Sequence, residues 1–274
     1  MVSLIEAHRA DPSRLPPRAK RDAELKPEIQ RVYDENFGAY GAEKVWRQLN
    51  RENSKFARCP VERLMAKLGR YDAVCGGKKY CTTKADSASA CPADLVSRQL
   101  QADRPKQLWV ADFTYVATRP GLVFVAFVID IFARRVVGWQ VSRSMLAELV
   151  LDALEQALWA RGDSGGLIHH SDRGSQYLAI RYTERLLEAS IQCSVGTRGD
   201  SYDNALAEFI IGLLKTEVIH RRAPWKSIEP VEYATLERVD WFNYRRLLGP
   251  IANVPPAEFE QAYYDRLKES ATVA

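Results

Sequence analysis

Three carboxylates, Asp112, Asp172 and Glu208, stand where regular elements begin or end. Asp112 interrupts the alternating stretch LWVADFTYVAT, and Asp172 closes the short run LIHHS. Glu208 lies just over one turn into a helical segment, with 35 residues between it and Asp172. A buried carboxylate is costly unless it is paired or bound to a cation, so Asp112 calls for a partner. If the strands carrying Asp112 and Asp172 are neighbours, the two acids converge, and the helix can lower Glu208 onto them. Three such groups in close range repel and raise one another's pKa unless cations intervene. Oxygen-only ligands favour Mg2+, with Mn2+ as a substitute, over zinc. Two such ions about 3.5–4 Å apart activate a nucleophile and stabilise the leaving oxygen in phosphoryl transfer. Lys215, seven residues beyond Glu208, shares its helix face and could hold a phosphate.

The elements that must position these acids are legible in the patterning. Leu108 to Ala117 alternates as a strand. Arg119-Pro120-Gly121 supplies turn chemistry, and Leu122 to Phe132 is almost continuously apolar, as a strand covered on both faces should be. Ala133-Arg134-Arg135 turns the chain into a third strand, Val136 to Val141. Ser144 then offers a cap for a helix ending at Gly162. A strand from Leu167 to Ser171, a helix from Ala179 to Ser190 and a strand from Ile191 to Val195 follow. The helix carrying Glu208 reaches about His220, and further helices are expected from about Glu229 to Tyr244 and near Ala257 to Leu267. Strands first, then alternating helix and strand, indicate an α/β layer with a mixed sheet.

Charge is distributed unevenly. The net +4 of the chain divides into +7 for residues 1–107 and −3 for residues 108–274. Between Lys44 and Lys84 there are 11 basic and 3 acidic side chains, a composition suited to a polyanion. Three short helices are expected in the N-terminal part, from Asp22 to Asn36, from Ala42 to Arg51 and from Pro60 onward. Arg63, Lys67 and Arg70 form an outer stripe on the last, as in a helix-turn-helix module reading double-stranded DNA. The division expected is a tail over residues 1–20, the helical module over 21–72, a linker over 73–104 with a short helix near Ala93 to Leu100, and the catalytic core over 105–268. No apolar run is long enough for a membrane span, and the N-terminal stretch lacks the apolar core of a signal peptide. Five cysteines without a CxxC pair indicate neither a disulfide framework nor a zinc site, and the expected location is cytoplasmic.

Four other signals have plainer explanations. Gly162-Asp163-Ser164-Gly165-Gly166 imitates a serine-protease motif, but the only earlier histidine is His8, so a turn explains it better. His170 falls on Asp172's side of its strand, though a lone strand histidine is more often structural. Asp130 and Asp203 suit turn formation and helix capping. Tyr263-Tyr264 suits a core role better than recombinase chemistry.

The blocks LWVADFTYVAT, IHHSDRGSQY and GDSYDNALAEFIIGLLKTEVIH resemble the D, D and E blocks of bacterial DDE transposases, closest to the integrase-core proteins of the insertion-sequence-three family. WFNYRRLLGPIANVPPAEF is similar to that family's C-terminal block, and GAYGAEKVWRQLN with CPVERLMAKLG to its helix-turn-helix. The resemblance covers about residues 21–265. It implies a ribonuclease-H-like core with a five-stranded mixed sheet flanked by helices, and Asp112, Asp172 and Glu208 as catalytic and metal-binding residues. It further implies Mg2+-dependent cutting of transposon ends and joining of the free 3′-OH to target DNA by a homo-oligomer on DNA. An upstream reading frame joined by frameshift would supply extra DNA-binding residues. Arg245 and Arg246 fall in the arginine-rich block and are expected to touch DNA. That block usually reads RRLHG, whereas Leu248 stands here where histidine is expected, and Ile211 falls in a run that is usually Ser-Phe-Asn-Gly. From Leu248 one polar contact to DNA is expected to be missing. Two function classes follow: an active strand transferase, or a DNA-binding remnant that only competes for transposon ends.

Overall fold

The computed structural model describes residues 16–52, 55–71, 92–96, 99–162, 165–172, 174–196, 205–219 and 223–273. The chain divides into two units, Met1–Val74 and Cys75–Ala274. Asp203 and most of the expected linker lie outside the described residues.

The described residues of the first unit form three helices around one apolar seam. Helix α1 (Pro17–Glu35) begins inside the stretch expected to be a tail, with a proline in its first turn, where the absent N–H is not needed. Helices α2 (Ala42–Arg51) and α3 (Arg58–Lys67) follow. Leu25, Ile29 and Val32 of α1, Val45 and Leu49 of α2, and Val61, Leu64 and Met65 of α3 are all buried, at the spacings that put each set on one helix face.

The basic stripe on α3 differs from expectation. Arg63 pairs with Asp22 of α1 at 2.6 Å. Arg70, just beyond α3, donates to Gln30 Oε1 at 3.1 Å and lies 5.4 Å from the Tyr33 ring centroid. Only Lys67 of the three stands exposed on the outer face. A wheel drawn for one helix cannot see α1 crossing beside it, and two arginines are spent on holding the three helices together.

The second unit is built on a five-stranded sheet. Strands β1 (Leu108–Thr118), β2 (Gly121–Asp130) and β3 (Arg135–Ser142) form an antiparallel meander. Helix α4 (Ala147–Arg161) leads to β4 (Ile168–Ser171), α5 (Ile180–Glu188) and β5 (Gln192–Val195). Helix α6 (Ala205–Leu214) runs into a π-helical turn, Lys215–Ile219, and α7 (Ile228–Tyr244) and α8 (Pro256–Val273) close the chain. The strand order is β3-β2-β1-β4-β5, with β4 parallel to both β1 and β5. Leu146, not Ser144, occupies the N-cap of α4. The described residues of 92–100 contain no helix; instead the Leu95 N–H donates to Ser194 Oγ of β5 at 2.9 Å.

One sheet face carries Trp109, Ala111, Ala126 and Val128 into a core with Leu149, Val150, Ala153 and Leu154 of α4 and Tyr182 and Leu186 of α5. Gly138 of β3 permits this approach: a Cβ there would lie 2.1 Å from the Ala153 carbonyl oxygen of α4. Val110, Val116, Val125, Phe127 and Ile129 on the opposite face are buried too, which is why β2 reads as an unbroken apolar run. Helix α7 is fastened to β3 through Asn243, which accepts from the Val136 N–H at 3.0 Å and donates to the Val136 carbonyl at 2.8 Å.

Asp130 does more than form a turn. It is fully buried, accepts from Trp109 Nε1 at 3.2 Å and the Lys106 N–H at 2.9 Å, and pairs with Arg161 at 3.2 Å. Arg161 also pairs with Glu260 of α8 at 2.6 Å. Tyr263 meets Phe132 edge-on at 5.1 Å and Tyr264 at 5.6 Å, so both tyrosines serve packing rather than recombinase chemistry. Among the described residues no helix is long and apolar enough to cross a membrane.

Candidate active site

The register of β1 and β4 brings the first two acids together. The strands run parallel with Ala111 opposite Ser171, and the next residue on each is Asp112 and Asp172. β4 ends there, while β1 continues to Thr118, where an isolated parallel bridge joins it to Trp225. Helix α6 packs against β1 and carries Glu208 in its first turn. Seven residues on, Lys215 opens the π-helical turn with its Nζ 5.0 Å from the Tyr115 ring centroid.

Backbone donors steady both aspartates. Asp112 Oδ1 accepts from the Phe113 N–H at 2.8 Å, and Asp172 Oδ1 accepts from the Gly174 N–H at 3.0 Å. A Cβ on Gly174 would lie 2.9 Å from that same Asp172 oxygen and 3.5 Å from Cδ2 of Tyr177. Glycine therefore lets the backbone turn tightly beneath the carboxylate. Gln176 donates to the Met145 carbonyl at 3.1 Å, tying the loop after β4 to the start of α4.

Electrostatics agrees with the geometry. Burial, then the Asp172 and Glu208 charges, push the Asp112 carboxyl up to about 8, against the opposing Phe113 N–H and Lys215 ammonium. Burial likewise raises Asp172, while the Gly174 N–H works the other way. Burial lowers Lys215, and the nearby Asp112 opposes it. Asp112 thus senses the charges of Asp172, Glu208 and Lys215 together. The acids stop short of a closed ligand shell: among the described residues no three His, Cys, Asp or Glu side chains lie at metal-ligand spacing. Three carboxylates without a cation repel, so a relaxed arrangement is the physical expectation. The donor set, all hard oxygens under excess negative charge, suits a divalent cation such as Mg2+ or Mn2+.

The other candidate residues divide. Arg245 is exposed at the end of α7. Arg246 is not on the surface: it is 3% exposed and its Nη1 meets both Glu217 oxygens, at 2.8 and 2.9 Å. Arg238 of α7 pairs with the same carboxylate. An arginine held this way ties the π-helical turn to α7 and has no face left for DNA. Leu248 is also inside, 3% exposed, with its N–H donating to the Val254 carbonyl at 3.3 Å, so it is not a vacated DNA contact. Ile211 is buried at 5% exposure. His170 is buried and shares a hydrogen bond with Ser194, Nδ1 to Oγ 2.9 Å, which gives it a structural role between β4 and β5.

Sequence reading missed Gly174, Tyr177 and Glu217. The Asp-x-Gly spacing after β4 was a usable turn signal for Gly174. Tyr177 and Glu217 fall inside the D and E blocks, but those blocks do not tell that Tyr177 is buried beside the acids or that Glu217 finds its partners on a later helix.

Comparison with known proteins agrees with this architecture. An integrase core domain matches residues 102–201, a second integrase core domain matches 208–263, and an HTH-like domain matches 20–74. The transposase for insertion sequence element IS629 of Shigella sonnei is 57% identical over 259 residues, covering 94% of this chain and 86% of that protein. The transposase for insertion sequence element IS904 of Lactococcus lactis subsp. lactis is 31% identical over 237 residues, covering 86% of this chain and 93% of that one. Among solved structures, a chain of the simian T-cell lymphotropic virus intasome in complex with PP2A regulatory subunit B56 gamma shares the fold. Its TM-score is 0.51 at 12% identity, over 84% of this chain and 73% of that chain. With a ribonuclease-H-like sheet, an HTH-like helical module and identity of this extent, the chain belongs to the insertion-sequence-three family of transposases.

Proposed function

We propose that this chain cuts the ends of an insertion sequence and joins the freed 3′-OH to target DNA, in a reaction dependent on divalent metal. The observation that carries the reading is the β1/β4 register, which sets Asp112 beside Asp172, with α6 bringing the Glu208 charge to bear on Asp112. Asp112, Asp172 and Glu208 would hold two Mg2+ ions, with Mn2+ able to substitute. Such ions, when bound, activate the attacking oxygen and stabilise the leaving one. Asp112, whose carboxyl is held at about 8, would have to be deprotonated to serve as a ligand. Lys215, poised over Tyr115 and within the field of Asp112, would neutralise a phosphate next to the reacting one.

Double-stranded DNA, both the terminal inverted repeats and the target, is the substrate. The helical unit contributes phosphate contacts, with Lys67 the exposed member of its stripe and Arg245 a further contact on the second unit. Two ends and a target demand more than one copy, so the working form is a homo-oligomer on DNA. The competitor reading gains no support from Leu248, because that departure from the family pattern lies in the core.

The test is direct. Purified protein is incubated with duplexes bearing the native terminal repeats, a plasmid target and Mg2+. End cutting and joined products are expected. Tight end binding without either product would favour the competitor instead.

A further inference from the structure

Tyr177 lies beside the acid pair and has no part in the proposed chemistry. It is 1% exposed, and its hydroxyl has no hydrogen-bond partner among the described residues. A buried hydroxyl without a partner is destabilising, and native chains seldom keep one without a use for it. The neighbouring Tyr182 shows the ordinary solution: equally buried, it spends its hydroxyl on His169 Nε2 at 3.0 Å.

The position of Tyr177 points to the use. Its N–H donates to the Gly174 carbonyl at 3.0 Å, which folds the turn after Asp172 back toward the acid. The Asp172 carboxylate and the Tyr177 ring both flank the bare Cα of Gly174, at 2.9 and 3.5 Å from a Cβ built there. The ring also packs 6.3 Å from Phe113, the residue next to Asp112. Burial, with the charges of Asp112, Tyr182 and Asp172, holds the hydroxyl well above its ordinary pKa, so it stays protonated and can donate.

We infer that Tyr177 is a positioning residue whose hydroxyl donates to a carboxylate oxygen of the Asp112–Asp172 pair when the acids close around their cation. The inference rests on the proposed reading of that pair. Among the described residues of the free chain the acids stand apart from ligand spacing and the hydroxyl has no acceptor. Closing them turns the carboxylate oxygens, gives the hydroxyl its partner, and fixes the orientation of a ligand from behind, as outer-shell donors do at metal sites. The seven-residue stretch from Ser171 to Tyr177 would then supply a ligand, the turn beneath it and the donor that orients it.

Tyr177→Phe tests this while keeping the ring contacts with Phe113 and Tyr182. Three quantities are measured on the full chain: melting temperature in chelator, the Mn2+ concentration that half-saturates the thermal shift, and strand-transfer turnover with its KM for end DNA. Tyr177→Phe should melt no lower than wild type in chelator. It should need about 10- to 100-fold more Mn2+ and turn over slower by a similar factor, with KM for DNA unchanged. Tyr182→Phe, by contrast, should melt lower. Wild-type Mn2+ affinity and turnover in Tyr177→Phe would overturn the inference, as would a melting loss matching that of Tyr182→Phe. Asp172→Asn, run beside them, separates the failures. If it is inactive while Tyr177→Phe behaves as wild type, only the tyrosine's role falls; if it is active, the reading of the acid pair falls too.

Discussion

The buried Glu217 cluster sets a quantitative test of where Arg246 belongs. Glu217, Arg238 and Arg246 are each 3–4% exposed, and both arginines converge on the one carboxylate. Their guanidinium groups also lie over the Trp241 ring, at 4.0 and 5.3 Å from its centroid. Breaking a buried pair by removing one partner costs about 3–5 kcal/mol, because the remaining charge is left uncompensated. Arg246→Met leaves Glu217 its Arg238 partner and should fall at the low end, about 3 kcal/mol. Glu217→Gln leaves two buried cations facing a neutral amide and should reach the high end, about 5 kcal/mol. For a unit of this size each kcal/mol moves Tm by about 2–4 °C, so losses of about 6–12 °C and 10–20 °C are expected. Calorimetry in chelator and a filter-binding assay on end DNA measure the two properties together. Replacing all three residues with apolar ones of similar volume should cost less than Glu217→Gln alone. The reasoning fails if Arg246→Met leaves Tm unchanged while DNA affinity drops, for the arginine would then face DNA.

Three further outcomes follow from named contacts. In chelator, the raised Asp112 carboxyl favours the folded chain at low pH, and that stability is lost as pH rises from 3.8 to about 8. The Tm of Asp112→Asn should therefore gain on wild type across this window, and parallel curves would refute the shift. Gly174→Ala puts a Cβ 2.9 Å from Asp172 Oδ1 and must turn the carboxylate. Turnover should fall by about 100-fold with little change in Tm, measured by strand transfer and calorimetry. Leu248→His buries an imidazole where leucine is 3% exposed, so Tm should drop, by about 1–3 kcal/mol of stability, with no gain in strand-transfer rate.

Much of the core was legible because its signals are local. The alternation of Leu108 to Ala117, the unbroken apolar β2 and the helical spacing of α4 each report on their own surroundings, and the three acids stood out against them. The illegible features depend on partners distant in sequence. Arg63 read as an outer-face cation until α1 placed Asp22 against it. Arg246 read as a DNA contact because it falls in the arginine-rich block, whereas Glu217 draws it inside. Asp130 read as a turn former, but Arg161 and Glu260 make it the joint between sheet and C-terminal helix. Tyr177 is the reverse case: it draws notice because its buried hydroxyl has no partner among the described residues.

The central claim is that Asp112, Asp172 and Glu208 form one site that transfers DNA strands. Single-turnover joining of a pre-cut terminal repeat to plasmid DNA in Mg2+, with wild type and Asp172→Asn at equal end occupancy, tests it most directly. The account predicts joined product from wild type and none from Asp172→Asn, with end affinity unchanged. Joining by Asp172→Asn at the wild-type rate would contradict it.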